Sequence, residues 1–351
     1  MVTGVDPMVL TAAPGQQALI RADEGVLIIA PSPAEVAAIG SAGRATGTGP
    51  GPAGAVSTAD GQHVTLLCNV ASAAELRLGL SAGADGVGLL RTEIPFIAAS
   101  DWPDSDQQAG YLAPILMLLP GRLATVRLLD FSGDKIPPFL PPGGSGLAAL
   151  LAHPSALDSQ LQAILRAGRD ADLAILVPMV SSLGEVAAVR QALERASEQA
   201  GVRPPRLGIM VELAGTAAAA ATFAASVDFF SIGTNDLTGQ VLALGRDDPA
   251  ASPALAAEPR VLMLIRHVVE AAGEAGITVS VCGDSAADPL VLPLLIGAGV
   301  RAVSVPAAAV GRVRDWIAML DAGECAALVT KALAASSARE VWELVRHAGP
   351  H

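Results

Sequence analysis

This sequence predicts a closed parallel α/β barrel, and three observations predict it. Eight short apolar runs recur along the chain, each of strand length and each ending abruptly in polar residues. The runs show little alternation of apolar and polar positions, which is how a strand buried on both faces reads. Between most of them lie Ala/Leu-rich stretches long enough for a helix, as at 183–200 and 261–275. Strand and helix patterns in alternation argue for parallel βα units, and eight such units argue for a (β/α)8 TIM barrel.

The runs are VTLLCNV (64–70), GVGLLRTE (86–93), VRLLDFSGDK (126–135), AILVPMVSS (174–182), RLGIMVE (206–212), FFSIGTND (229–236), TVSVCGD (278–284) and VRAVSVP (300–306). Ahead of them, GVLIIAP (25–31) predicts a strand followed by a short helix from Ser32, and residues 1–40 form a separate small unit. Residues 41–62 are mostly Gly, Ala, Ser, Thr and Pro without apolar periodicity, the composition of a flexible linker. The barrel then occupies 63–351, with one or two closing helices over 321–347.

At 351 residues the chain can bury a large core, and one barrel with an appendage fits better than several small domains. It is 52% hydrophobic but only 3% aromatic, so Ala, Leu and Val build that core. Mean hydropathy is +0.50, yet the longest uncharged stretch worth testing, 213–227, is mostly Ala and Thr and too short to span a bilayer. No basic residue precedes Arg21, so an export signal is not expected and membrane insertion is excluded. Three cysteines without CxxC spacing argue against a disulfide framework and fit a reducing cytoplasm. A net charge of −12 argues against nucleic acid as partner. It also repels anions at long range, so a site for one must gather its own cations.

Barrel active sites sit at the strands' C-terminal ends, where Arg91, Arg127, Glu212, Asn235, Asp236 and Cys282 fall in these runs. Glu212 and Asp236 close consecutive strands, so their carboxylates are expected to be neighbours. Two carboxylates with open positions suit Mg²⁺, which binds through one or two carboxylates plus substrate oxygens; strand-end acids also cap helices. Arg91, Arg127 and Arg246 are candidate anion ligands because a guanidinium fork matches phosphate oxygens, although rim arginines commonly form surface ion pairs. Arg127 is the more telling, since a charge in an apolar strand needs a buried partner or a ligand. A cysteine such as Cys282 is usually inert core. At a strand end its thiol, mostly protonated at neutral pH, is instead a proton donor, with Asp284 expected to hold its pKa up.

With these residues placed, the chain resembles the C-terminal half of enzyme I of the bacterial sugar phosphotransferase system, the phosphoenolpyruvate-protein phosphotransferase. The resemblance runs in order through GADGVGLLRTE (83–93), VRLLDFSGDK (126–135), VPMVSS (177–182), LGIMVE (207–212), VDFFSIGTNDLT (227–238), VCGD (281–284), ADPLVLPLLIGAGV (287–300) and SVPAAAVGRVR (304–314). It implies that Arg91, Arg127, Asn235, Asp236 and Arg246 bind phosphoenolpyruvate, that Glu212 and Asp236 hold Mg²⁺, and that Cys282 protonates C3 of the enolate to release pyruvate. It also implies transfer of the phosphoryl group to a histidine of a phosphohistidine domain, in cis or in trans, then to a downstream phosphocarrier protein. A homodimer is a further implication, and residues 5–40 resemble the end of the family's swivelling domain.

None of the histidines at 63, 153, 267, 347 and 351 has the family's phosphorylatable context. Ala148 stands where the family usually has an arginine, Asp284 replaces a glutamate, and Leu213–Ala214 replaces Ile-Pro. Two other readings compete: a barrel of the pyruvate phosphate dikinase or phosphoenolpyruvate synthase type, and a non-catalytic paralogue that only binds ligand or partner.

Overall fold

A computed structural model describes residues 16–21, 26–32, 35, 55–132, 136–141, 146–245 and 248–348. The chain divides into two units, 1–51 and 52–351. In the first, β1 (Ala18–Arg21) and β2 (Val26–Ile29) pair antiparallel, Ala18 opposite Ile29 and Arg21 opposite Val26. The sequence predicts only β2, because β1 is short and ends in a charge. Ser32 and Glu35 exchange hydrogen bonds, the Ser32 amide donating to Glu35 Oε2 at 2.7 Å and the Glu35 amide to Ser32 Oγ at 3.3 Å. That reciprocal pattern is the one that caps a helix N-terminus; residues 33–34 and 36–40, on which the expected short helix falls, lie outside the described residues.

The second unit begins with β3 (Val56–Ser57), antiparallel to the start of β4 (His63–Val70). Residues 55–62 therefore fold as a hairpin against the barrel, although their composition reads as linker. The backbone N–H of Ala59 reaches the Leu320 carbonyl at 2.7 Å and fastens this hairpin to the far end of the barrel sequence. The remaining strands are β5 (Gly86–Leu90), β6 (Leu123–Arg127), β7 (Asp172–Val177), β8 (Arg206–Val211), β9 (Phe229–Ile232), β10 (Thr278–Val281) and β11 (Ala302–Pro306). From β4 to β11 every neighbour is parallel and in chain order, and β11 pairs with β4 from Ala302 opposite Thr65 to Pro306 opposite Asn69. The sheet is closed, and the eight predicted strands are its staves.

The third strand differs in extent from its apolar run. It starts at Leu123, three residues before the run, and stops at Arg127, so Leu128 and Leu129 are loop residues. They stay apolar because they are buried: Leu129 packs with Phe131, Leu140 and Ala149 under Trp102 and Phe139. Arg127 accordingly stands at the strand's C-terminal end, as expected, although it lies near the start of its apolar run.

Inside the barrel Leu89, Ala174, Leu176, Met210, Phe229 and Cys282 form one apolar cluster, while the larger core lies between the strands and the helices around them. The helices carry the local signals that define them. Leu183–Ala200 opens on a reciprocal Ser182–Glu185 cap and closes on Gly201 at φ 64°. Pro259–Ala275 begins with Pro259 in its first turn and closes on Gly276 at φ 70°. Ala322–Ala332 and Ala338–Ala348 complete the chain's described part as the two closing helices. No helix among the described residues is long and apolar enough to cross a membrane.

Candidate active site

A cavity of about 710 Å³ opens at the C-terminal ends of the strands. It gathers Arg91, Arg127, Glu212, Asn235, Asp236 and Cys282, six of the seven residues the sequence singles out. Arg246, the seventh, lies outside the described residues.

Arg127 is 6% exposed and ion-paired twice, to Glu93 at 2.7 Å and to Asp130 at 3.2 Å. Burial works against its charge, but Glu93, Asp130 and Glu212 outweigh that and keep the guanidinium ionised. Glu93 and Asp130 are themselves buried, and this compensation makes the position tolerable for all three. The Arg127 Nε is buried and makes no hydrogen bond. Arg91 is half-buried, and no described residue pairs with its guanidinium. Its backbone is fixed instead, the N–H on the Val70 carbonyl at 2.9 Å and the carbonyl accepting from the Tyr111 hydroxyl at 2.9 Å.

Glu212 follows β8, is 1% exposed, and accepts the Met179 N–H at 2.6 Å. Met179 adopts φ 53°, a left-handed conformation that a residue with a side chain rarely takes, and it aims that N–H at the carboxylate. Gly233 leaves the necessary room, since a Cβ there would stand 2.8 Å from the Glu212 Cβ. Burial raises the Glu212 pKa to about 7 against the pull of Arg127 and the Met179 N–H, with Asp130 and Asp236 adding to the rise. Such a carboxylate gains from a further cation. Asp236 faces it from the first turn of the helix Thr234–Leu242, whose cap position is Gly233, so neither Asn235 nor Asp236 serves as the side-chain cap.

No group of three or more His, Cys, Asp or Glu forms a metal cluster among the described residues. A hard divalent cation that keeps waters and substrate oxygens needs no more than this carboxylate pair.

Cys282 follows β10 and is 3% exposed. Burial first, and the charge of Glu212 next among the raising influences, push its thiol up to about 11. The expected influence of Asp284 is not what raises it. Asp284 is turned to Asn235 in a reciprocal pair, Asn235 Nδ2 donating to Asp284 Oδ2 at 2.8 Å and the Asp284 N–H to Asn235 Oδ1 at 3.0 Å. Between them Gly283 passes against Thr234, where a Cβ would overlap the Thr234 hydroxyl and lie 2.7 Å from its backbone nitrogen.

Several supporting residues escaped the sequence reading. Glu93 and Asp130 lie inside quoted motifs; Asp130 directly follows its apolar run, and Glu93 stands three residues past the end of β5. Asn69 donates to the Cys282 carbonyl at 3.0 Å and accepts from Ser304 at 2.6 Å, tying three strand ends together. Gln160 had the subtlest signal, a polar residue in the apolar stripe of Ala156, Leu157, Leu161 and Ile164. Of the described histidines, 63, 153, 267 and 347, none lines the cavity, and Ala148 is exposed on the short helix Gly146–Leu151 away from its wall.

The chain is 36% identical over 357 residues to a multiphosphoryl transfer protein of Rhodobacter capsulatus, covering 97% of this chain and 43% of that one. It is 35% identical over 300 residues to a phosphoenolpyruvate-protein phosphotransferase of Mycoplasma pneumoniae, covering 82% of this chain and 52% of that one. The chain thus spans about half the length of these curated relatives. The crystal structure of a citrate lyase from Burkholderia xenovorans LB400 superposes with a TM-score of 0.50 at 19% identity, over 81% of this chain and 91% of that one, and shares the barrel fold. Residues 52–322 match the model of the PEP-utilising enzymes' PEP-binding domain, and the chain belongs to that family.

Proposed function

We propose that this barrel binds phosphoenolpyruvate with Mg²⁺ and passes the phosphoryl group to a histidine of a separate phosphohistidine domain, in cis or in trans, releasing pyruvate. The observation that carries the reading is the meeting, in one cavity, of the Arg91 guanidinium, the buried Glu212 carboxylate beside the half-buried Asp236, and a protonated thiol. Arg91 and Arg127, with Arg246, which lies outside the described residues, would supply the positive charge that a trianionic ligand needs inside a chain of net charge −12. Their forks suit the equatorial oxygens over which charge spreads during phosphoryl transfer. Glu212 and Asp236 would hold the Mg²⁺, which when bound supplies Lewis-acid neutralisation of the ligand's oxygens.

Asn235, fixed through both ends of its amide by Asp284, is held to present a side chain of set orientation beside Asp236. Cys282, protonated because it is buried, donates a proton to the carbon that becomes the methyl of pyruvate. Buried apolar neighbours such as Leu89 and Met210 limit water at that carbon. The same reading brings with it a downstream phosphocarrier protein, sugar uptake as the process served, a homodimer, and a cytoplasmic location.

Calorimetric titration of phosphoenolpyruvate with and without Mg²⁺, on the wild type, Asp236→Ala and Arg246→Ala, tests the reading. Metal-dependent binding that both substitutions abolish supports it. A folded protein that gives no heat below millimolar ligand would sink it and favour a barrel that has lost turnover.

A further inference from the structure

Gln160 does not line the cavity, yet it holds both loops that bring arginines to it. It projects from the helix Pro154–Ala167 on the face that buries Leu157, Leu161 and Ile164, and it is fully buried. A buried amide is tolerated where both of its ends are bonded. Its Nε2 donates to Thr92 Oγ1 at 3.1 Å, and its Oε1 accepts the Leu129 N–H at 2.9 Å. Thr92 Oγ1 in turn donates to the Arg127 carbonyl at 2.9 Å. Thr92 is the residue after Arg91, in the loop leaving β5. Leu129 lies two residues beyond Arg127, in the loop leaving β6. One side chain therefore fastens both loops at their roots, while the Glu93–Arg127 ion pair crosses the same gap at 2.7 Å.

We propose that Gln160 is a positioning residue that sets the spacing of Arg91 and Arg127 for an anionic ligand. The proposal rests on the phosphoenolpyruvate-binding reading above. Its physical basis is direction as much as distance. The Thr92 hydroxyl has one proton, which goes to the Arg127 carbonyl, so it can only accept from Gln160; amide, hydroxyl and carbonyl form a one-way chain. Breaking that chain loosens the Arg91 loop from the Arg127 loop and leaves the Glu93–Arg127 ion pair to hold them. Two guanidinium forks displaced by about 1 Å lose the simultaneous fit that bidentate recognition requires.

The test compares the full chain as wild type, Gln160→Met, Thr92→Val and the double variant. Leu193→Ala serves as control, a buried leucine on the helix Leu183–Ala200. Phosphoenolpyruvate affinity with Mg²⁺ is read by calorimetry and Tm by scanning calorimetry. Each single variant should weaken binding by at least about tenfold, and the double should be no weaker than the worse single, because both act through one chain of bonds. Leu193→Ala should lower Tm as far while keeping the affinity within about twofold.

Wild-type affinity in folded Gln160→Met, or an equal loss in Leu193→Ala, overturns the proposal. If Gln160→Met does not fold, Thr92→Val decides the matter in the same way. A wild-type protein that binds no phosphoenolpyruvate overturns the binding reading as well, so the two failures are told apart.

Discussion

Cys282 and Glu212 stand in one cavity, and burial acts on them toward the same end: both are held toward their protonated forms. With its thiol pushed up to about 11, Cys282 keeps its proton across the neutral range, as the proposed donation to carbon requires. Cys282→Ala should therefore cut pyruvate formation by about 10²–10⁴-fold, the usual worth of a positioned proton donor. Phosphoenolpyruvate affinity should stay within a few-fold, because the thiol adds no charge for the ligand. A parallel loss of affinity, read by calorimetry, would refute the assignment. For Glu212 the folded pKa, about 7, lies above its ordinary 4.5. The folded state thus prefers the neutral acid, and the stability this contributes is complete below about 4.5 and lost as pH rises through about 7. Glu212→Gln keeps an acceptor for the Met179 N–H and carries no charge. Without divalent cation, it should melt above the wild type at pH 8, and the difference should vanish toward pH 5. Equal melting temperatures at pH 8 would show that the charge is already compensated in the free protein.

The elements determine how closely such groups can approach. After β10 the chain runs through Cys282, Gly283 and Asp284 directly against the first turn of Thr234–Leu242, and hydrogen exists at residue 283 in place of a Cβ because Thr234 fills the space. Gly283→Ala would press on the Thr234 backbone nitrogen at 2.7 Å as well as on its hydroxyl, and backbone cannot turn aside. The variant should lose about 1–3 kcal/mol in urea unfolding, the range for forced overpacking. It should also lose metal-dependent ligand binding, since Asn235 and Asp236 ride on the displaced turn. Adding Thr234→Ala should restore only part of the stability; full restoration would place the clash at the side chain alone. The strand ends at Glu212 and Cys282 were legible because each apolar run breaks there into a polar residue. The end of β6 was not, since Leu128, in the main core, and Leu129, under the Trp102 cluster, remain apolar after the sheet has finished. A local hydrophobic pattern cannot distinguish burial in a sheet from burial beneath a loop. Gln160 was missed for the same reason: its partners lie on two other segments, 31 and 68 residues away in the chain.

At the level of the whole molecule, closure of β11 onto β4 is what brings residues from across the barrel sequence to one rim, and the count of eight buried runs already implied it. The hairpin β3 could not be read, since its residues are those of a linker and its strand status comes only from pairing with β4. A consequence for activity follows from what the rim holds and what it lacks. Its proposed role is to bind and cleave a phosphoenol ester, yet no described histidine lines it. His63 lies at the start of β4, the end of the barrel opposite the cavity, and His267 is bonded to the Ala218 carbonyl on the outer helices. The chain incubated alone with phosphoenolpyruvate and Mg²⁺ should therefore give no stoichiometric phosphohistidine. Addition of a separately prepared phosphohistidine domain from a family relative should start both its own labelling and pyruvate release, in equal amounts. Labelled phosphoenolpyruvate followed by acid and base lability of the phosphoprotein measures this, because a phosphohistidine is lost in acid and survives base. Label retained on this chain without the added domain would mean that one of its own histidines reaches the cavity: for His63, His153, His267 or His347 the geometry described here would then have to open, while His351 lies outside the described residues.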